Sequence, residues 1–122
     1  MGVIAWTKAF QPRMDARARL GMKPDDQGPL NDDNVRAELA AANRALVEEG
    51  IKNLDIAIKL DPEYDDAMAY ENLLYREKAD LEDSPEAYRA DIEAADTFFA
   101  KVVEIRKLRA ERNARSTTQD PN

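Results

Sequence analysis

Residues 50–62 read Gly-Ile-Lys-Asn-Leu-Asp-Ile-Ala-Ile-Lys-Leu-Asp-Pro, and this stretch decides the fold. Small or apolar residues recur at Gly50, Leu54 and Ala57 in steps of four and three, which places them on one side of a helix. A glycine at such a position lets a second helix approach closely, and a leucine fills the space beside the contact. Pro62 ends the helix, because proline cannot continue it.

The same spacing extends back toward residue 31 and predicts one long helix over about residues 32–60. Asn31, Asp32 and Asp33 precede this helix and are candidates for its N-cap. Aspartate clusters can also bind calcium, but the alternating oxygen ligands and central glycine of a calcium loop are missing here, so capping is the favoured role. The apolar positions of this helix are Val35, Leu39, Ala42, Leu46, Gly50, Leu54 and Ala57.

Three further helices are predicted over about residues 3–20, 64–82 and 85–110, with a loop at 21–31 and a flexible tail at 113–122. Pro12 lies inside the first pattern and predicts a kink or a division of that helix, and Gly21 is a plausible end for it. Ser84 as N-cap with Pro85 in the first helical position starts the last helix. The predicted buried stripe of the last helix is Tyr88, Ile92, Ala95, Phe99 and Val102.

The composition of the 122 residues excludes several classes of function. The net charge of -7 argues against binding a nucleic-acid backbone, and no apolar run approaches the roughly 20 residues that span a bilayer. The chain has no cysteine and no histidine, so disulfides, the commonest metal ligand and the commonest general base are absent. We therefore expect no enzymatic activity, no cofactor and no metal.

An internal repeat relates the second predicted helix to the fourth. Five positions align with a constant offset of 45 residues: Gly50, Leu54, Ala57, Ile58 and Leu60 with Ala95, Phe99, Val102, Val103 and Ile105. The spacing of small and large residues around Gly50, followed by Pro62, resembles the second helix of a tetratricopeptide (TPR) repeat. That unit is about 34 residues long, so the repeats of this chain would be lengthened.

The resemblance implies an all-α fold of antiparallel TPR-type helical hairpins over residues 1–112, with about four main helices and right-handed superhelical stacking. It is closest to bacterial proteins, and it suggests a C-terminal fragment of a longer chain. The family is found in the bacterial cytoplasm and also in the periplasm or cell envelope, and the sequence does not choose between these compartments.

The resemblance also implies a non-enzymatic scaffold that binds a peptide or a partner helix on its concave face. Tyr70, Leu73, Arg76 and Glu77 are the candidate contacts, since they lie on the helix that lines that face in the family. For Tyr70 and Leu73, plain packing between helices is the alternative.

The alternative function is a structural spacer or self-association element, with a homodimer formed through the first helix. Its candidate residues are Val3, Trp6 and Phe10, whose apolar edge two repeats alone would leave uncovered. Burial in the chain's own core is the competing interpretation of these aromatic residues.

Overall fold

The computed structural model describes residues 2–23, 26 and 28–119, and the side chains of residues 5–116 other than 24, 25 and 27. Four helices follow one another: α1 (Gly2–Arg19), α2 (Asp33–Leu60), α3 (Asp65–Ala79) and α4 (Pro85–Gln119). The described residues contain no β-strand. The predicted all-α, four-helix fold is confirmed.

Side chains at the helix ends hold the backbone as the sequence predicts. Asp32 Oδ1 accepts hydrogen bonds from the backbone N–H groups of Asn34 and Val35 at 2.9 and 3.0 Å, which caps α2. Ser84 Oγ accepts one from Ala87 at 3.1 Å at the start of α4. Gly21 follows α1 with a φ of 71°, in the left-handed region that glycine adopts without strain.

Of the two outcomes predicted at Pro12, division of the helix does not occur, because α1 is one helix from Gly2 to Arg19. The predicted end of the last helix is wrong. The last helix does not end near residue 110 but continues to Gln119, through residues 113–119 that the sequence predicts to be a flexible tail. Residues 106–115 include four arginines and two alanines, which favour helix even without packing.

Helices α1, α2 and α3 meet at Gly50. A Cβ atom at this position would lie 2.9 Å from Ala5 Cβ on α1 and 2.9 Å from Leu74 Cδ1 on α3. The close approach that the sequence predicts at Gly50 is therefore present. Around it lies the main core, formed by Ala5, Ala9, Val47, Ile51, Leu54, Ala67 and Leu74.

The connection between α1 and α2 packs against the helices where it is described. Leu30 and Met22 are buried and form a second core cluster with Ala16. These apolar side chains hold the described part of the loop against the helices. The backbone N–H of Leu30 also donates to the carbonyl of Asp80 at 3.3 Å, which ties the loop to the end of α3.

Among the described helices, α4 packs against α3 alone. Ala95 and Val102 are buried there, as the 45-residue repeat predicts. The aligned residues Leu54 and Phe99 differ, because Leu54 is buried between helices and Phe99 is 55% exposed. The predicted burial of Phe99 is wrong because α2 has neighbours on two sides and α4 has one.

Candidate functional site

Two arginines of α1 pair with two carboxylates near the end of α3. Arg13 donates to Glu77 from Nε and to Asp80 Oδ2 from Nη1, the second bond at 2.7 Å. Arg17 binds both carboxylate oxygens of Asp80, at 2.8 and 2.7 Å. Arg13 pairs with Glu77, and the later residue Arg17 pairs with the later residue Asp80, so α1 and α3 run parallel. Arg13 and Glu77 lie at the same level along the two helices.

The α1–α3 ion pairs are buried. Glu77 and Asp80 are each about 1% exposed, and burial raises the pKa of Glu77 to about 7 against the lowering effect of Arg13. The hydrogen bond to Asp80 raises the pKa of Arg17. The remaining donors of Arg17 bind the backbone carbonyls of residues 23, 26 and 28 at 3.0–3.2 Å. One side chain thus joins α1, the loop and α3.

Ion pairs also set the alignment of α3 and α4. Arg76 Nη2 contacts Asp96 Oδ1 at 2.8 Å, and Arg106 Nε contacts Asp65 Oδ2 at 2.8 Å. Since 76 pairs with 96 and 65 pairs with 106, the two helices are antiparallel. Arg109 also contacts Asp65 at 3.1 Å, and hydrogen bonds from Arg106 and Arg109 lower the pKa of Asp65 to about 2.

From these alignments we infer that apolar side chains of three helices share one face. One helical turn before Arg13 is Phe10, and one turn before Glu77 is Leu73. One turn beyond Asp96 on α4 is Phe99, at the same level as Leu73. One more helical turn in the same direction on each helix leads to a second row of three residues. We call the two rows together the apolar face. The first row is Phe10, Leu73 and Phe99, and the second row is Trp6, Tyr70 and Val103.

Each helix contributes differently to the apolar face. Phe99 and Val103 of α4 are 55% and 51% exposed, whereas the side chains from α1 and α3 are partly buried. Trp6 and Tyr70 also pack against the main core, which restricts their motion. The rings of Trp6 and Phe10 lie 5.0 Å apart between centroids. The face therefore combines positioned aromatic rings with freely accessible apolar area.

The predicted partner-binding residues fall in three environments. Tyr70 and Leu73 lie on the apolar face. Arg76 lies at its edge, where it donates to Asn72 Oδ1 at 3.0 Å and to Asp96. Glu77 is buried against Arg13, so its position does not suit contact with a partner.

The residues predicted for self-association belong to the same region. Trp6 and Phe10 lie on the apolar face beside Tyr70 and Leu73, so the structure places the two predicted sets on neighbouring helices. The side chain of Val3 lies outside the described residues. Whether any of these side chains binds a partner stays a prediction.

Glu71 of α3 is fully buried, and neither of its carboxyl oxygens accepts a hydrogen bond from any described residue. Burial raises its pKa to about 9, and the nearby carboxyl of Asp55 on α2 adds to the effect. The side chain is therefore protonated at neutral pH. A protonated carboxyl costs far less to bury than a carboxylate.

A second polar cluster holds the turn between α3 and α4. Lys78 Nζ contacts Glu82 Oε2 and Asp91 Oδ1, each at 3.1 Å, and Arg44 of α2 contacts Glu82 Oε1 at 3.1 Å. Burial and the neighbouring Glu82 raise the pKa of Asp91 to about 6. These four side chains fix the turn relative to α2 and leave few donors free for a ligand.

An open groove of about 490 Å³ lies between the first half of α2 and the α3–α4 turn, beside Arg36 and Arg44. Arg36 donates to the carbonyl of Leu30 at 2.8 Å and to Asp33 at 2.5 Å. Arg44 donates to the carbonyl of Leu81 at 2.7 Å and to Glu82. Both guanidinium groups already have protein acceptors, so the apolar face is the stronger candidate site.

Within the described residues, no three acidic, histidine or cysteine side chains are grouped so that they could hold a metal ion. None of the described helices has the length and apolar character that crossing a membrane requires.

We compared the chain with protein-family models, curated proteins and solved structures. None of the three comparisons found a match. The relation to TPR proteins therefore remains a resemblance in sequence pattern.

Sequence reasoning missed the residues that organise this region. Arg13 and Arg17 are one turn apart on α1, and Glu77 and Asp80 are one turn apart on α3, so like charges repeat on one side of each helix. That spacing was a usable signal for a contact between the two helices. No comparable signal marked Glu71, because an isolated glutamate in a helix is usually exposed.

Proposed function

We propose that this chain is a non-enzymatic protein-binding scaffold that holds a peptide or helix of another protein on the apolar face. The observation that carries the proposal is the alignment of two apolar rows across α1, α3 and α4, with Phe99 and Val103 half exposed. Exposed apolar side chains grouped in this way are typical of protein interaction sites. Aromatic residues are also enriched among those that contribute most to binding.

The dimensions of the apolar face suit the side of an amphipathic helix. Phe99 and Val103 are four residues apart on α4, about 6 Å along its axis. Apolar residues at positions i and i+4 of a partner helix have the same separation and could occupy the two rows together. Arg76 and Asp96 at one edge supply charged groups that would orient such a helix.

The arrangement of the helices supports a TPR-like scaffold. α1 contacts α2 and α3, and α3 contacts α4, as expected of stacked helical hairpins. Membership of the family, a bacterial origin and a location in the cytoplasm or cell envelope are parts of this proposal that rest on the sequence resemblance.

The proposal can be tested by capture of partners from the source cells. We would compare immobilised wild type with Phe99→Glu, and with Leu108→Glu as the matched control. Leu108 is an exposed apolar residue of the same helix, 44% exposed, outside the apolar face. A partner held by wild type and by Leu108→Glu but lost by Phe99→Glu is the expected result.

A second measurement uses Trp6, the single tryptophan of the chain. Titration of a captured partner should change the Trp6 fluorescence, because the indole lies on the apolar face. Equal retention by all three proteins, or no change in Trp6 emission, would contradict binding at this face.

A further inference from the structure

Ile56 and Leu60 form a second exposed apolar feature, on the outer side of α2. They are 50% and 83% exposed and one helical turn apart. Lys52 lies one turn before Ile56, and Asp61 follows Leu60 directly, and both are exposed. We call these four residues the α2 ridge. Asp61 is the C-cap residue, directly after the helix. Along the chain the order of the four residues is positive, apolar, apolar, negative.

The exposed part of the apolar face has the opposite order. Along α4, Asp96 precedes Phe99 and Val103, and Lys107 follows one turn later, all exposed. Asp96 also accepts a hydrogen bond from Arg76 at 2.8 Å. The order is negative, apolar, apolar, positive. The two apolar residues are four positions apart in each case, about 6 Å along either helix.

From this match we propose that the apolar face binds the α2 ridge of a second copy of the chain. The ridge helix would lie parallel to α4, with Ile56 and Leu60 against Phe99 and Val103, Lys52 beside Asp96, and Asp61 beside Lys107. The inference rests on the proposed function of the face as a protein-binding surface, and it names the partner. Asp61 beside Lys107 would favour this orientation, because the reverse one places Lys52 beside Lys107. Lys52 would join the ion pair that Asp96 already forms with Arg76, so that end contributes less.

The proposed contact joins two different surfaces, so it is head-to-tail. Each copy in a pair would retain one free α2 ridge or one free apolar face, and further copies could add at either end. A contact that pairs one surface with itself would instead stop at a dimer. The proposal therefore predicts masses above that of a dimer at high concentration.

Sedimentation velocity of the full chain from about 1 μM to about 1 mM tests this, because that range covers micromolar to millimolar dissociation constants. We expect wild type to grow with concentration and Leu60→Arg and Phe99→Glu each to weaken association by roughly tenfold or more, the loss typical of a central contact residue. Leu108→Arg, an exposed apolar position outside both surfaces, should associate as wild type does.

The deciding experiment mixes the two variants. Leu60→Arg retains an intact apolar face and Phe99→Glu retains an intact α2 ridge, so an equimolar mixture should form a one-to-one dimer and nothing larger. Circular dichroism of each variant confirms that the helical fold is kept. A monomeric wild type throughout the range, equal weakening by Leu108→Arg, or no dimer in the mixture would each overturn the proposal.

The same variants separate this proposal from the proposed function. Leu60→Arg leaves the apolar face unchanged, so a foreign partner retained by this variant supports the scaffold even where self-association fails. Self-association without any foreign partner would identify the second copy as the occupant of the face.

Discussion

Two sets of arginine–carboxylate pairs join helices in this chain, and their surroundings differ more than their geometry. Arg17 and Asp80 meet at 2.7 Å inside the protein, where both side chains are almost fully buried. Arg112 and Glu63 meet at 3.0 Å with more than half of each side chain exposed. Water and salt weaken the exposed pair, whereas the buried charges depend on each other for compensation.

The two kinds of ion pair occur in different parts of the molecule. α1, α2 and α3 are joined through their interior, by the close approach at Gly50 and the pairs around Asp80. α4 is attached to α3 on one side, with charged pairs near the surface. Helices α1 and α3 supply the partly buried half of the apolar face, and the uncovered side of α4 supplies its accessible half.

The largest expected effect comes from removing a buried charge. Asp80→Ala should lower the free energy of unfolding by about 3–5 kcal/mol, because Arg17 would remain buried without its counter-charge. Urea unfolding followed by circular dichroism measures the change. The double variant Arg17→Met with Asp80→Leu should recover much of the loss. An effect no larger than that of Glu63→Ala would show that the buried and the exposed pairs contribute equally to stability.

The carboxyl of Glu71 is buried without an arginine partner, so its effect on stability should depend on pH. The pKa of Glu71 in the folded protein, about 9, lies above its ordinary value of 4.5. The folded state therefore keeps a proton that the unfolded state releases, so this contribution to stability is present at low pH and is lost as the pH rises between these values. Glu71→Gln does not titrate and should be the more stable protein at high pH.

The expected advantage of Glu71→Gln over wild type is on the order of 3 kcal/mol at pH 7 and below about 1 kcal/mol at pH 5. Chemical unfolding of both proteins at several pH values gives this difference directly. Glu77 and Asp91, whose pKa values are also raised, titrate in both proteins and so largely cancel. A difference that is independent of pH would show that Glu71 is not protonated when buried.

The helix contact at Gly50 predicts a smaller effect. Gly50→Ala would place a methyl group 2.9 Å from Ala5 Cβ and Leu74 Cδ1, and overpacking of this kind costs about 1–3 kcal/mol. Replacing glycine by alanine in a helix returns up to about 1 kcal/mol, so a net loss of roughly 1 kcal/mol is expected in thermal or urea unfolding. A gain of stability would show that the helices are further apart than described.

The smallest effect is expected at the exposed pair. Arg112→Ala should change the free energy of unfolding by less than about 1 kcal/mol, and by less still in 1 M salt, where charges at the surface are screened. Lys107→Ala on the same helix is a control for the loss of a long basic side chain. A loss as large as that of Asp80→Ala would remove the distinction between the two kinds of pair.

The helices were predictable because their signals are local. The spacing of apolar residues, the cap at Asp32 and the start at Ser84 each depend on neighbours within one or two turns. The prediction missed the end of α4, where an apolar stripe fades while good helix formers continue. The division predicted at Pro12 does not occur: the proline is exposed on α1, which continues past it as one helix.

The candidate site was only partly predictable. Tyr70 and Leu73 were named for one role and Trp6 and Phe10 for another, and nothing in either local pattern relates α1 to α3. Phe99 was assigned to the core because it has the spacing of a buried residue. Spacing shows which side chains share a side of a helix, but it does not show how many neighbours cover that side.

By itself, the sequence determined an all-helical chain with four helices and a close contact at Gly50, since these follow from propensities, caps and residue size. Only the tertiary structure decided which side chains pair, as Arg17 does with Asp80, and which six residues form the apolar face. It also decided that Glu71 is buried, which raises its pKa. The reason is that burial and pKa depend on what packs against a residue, and the buried pairs of α1 with Glu77 and Asp80 join residues more than 60 positions apart along the chain.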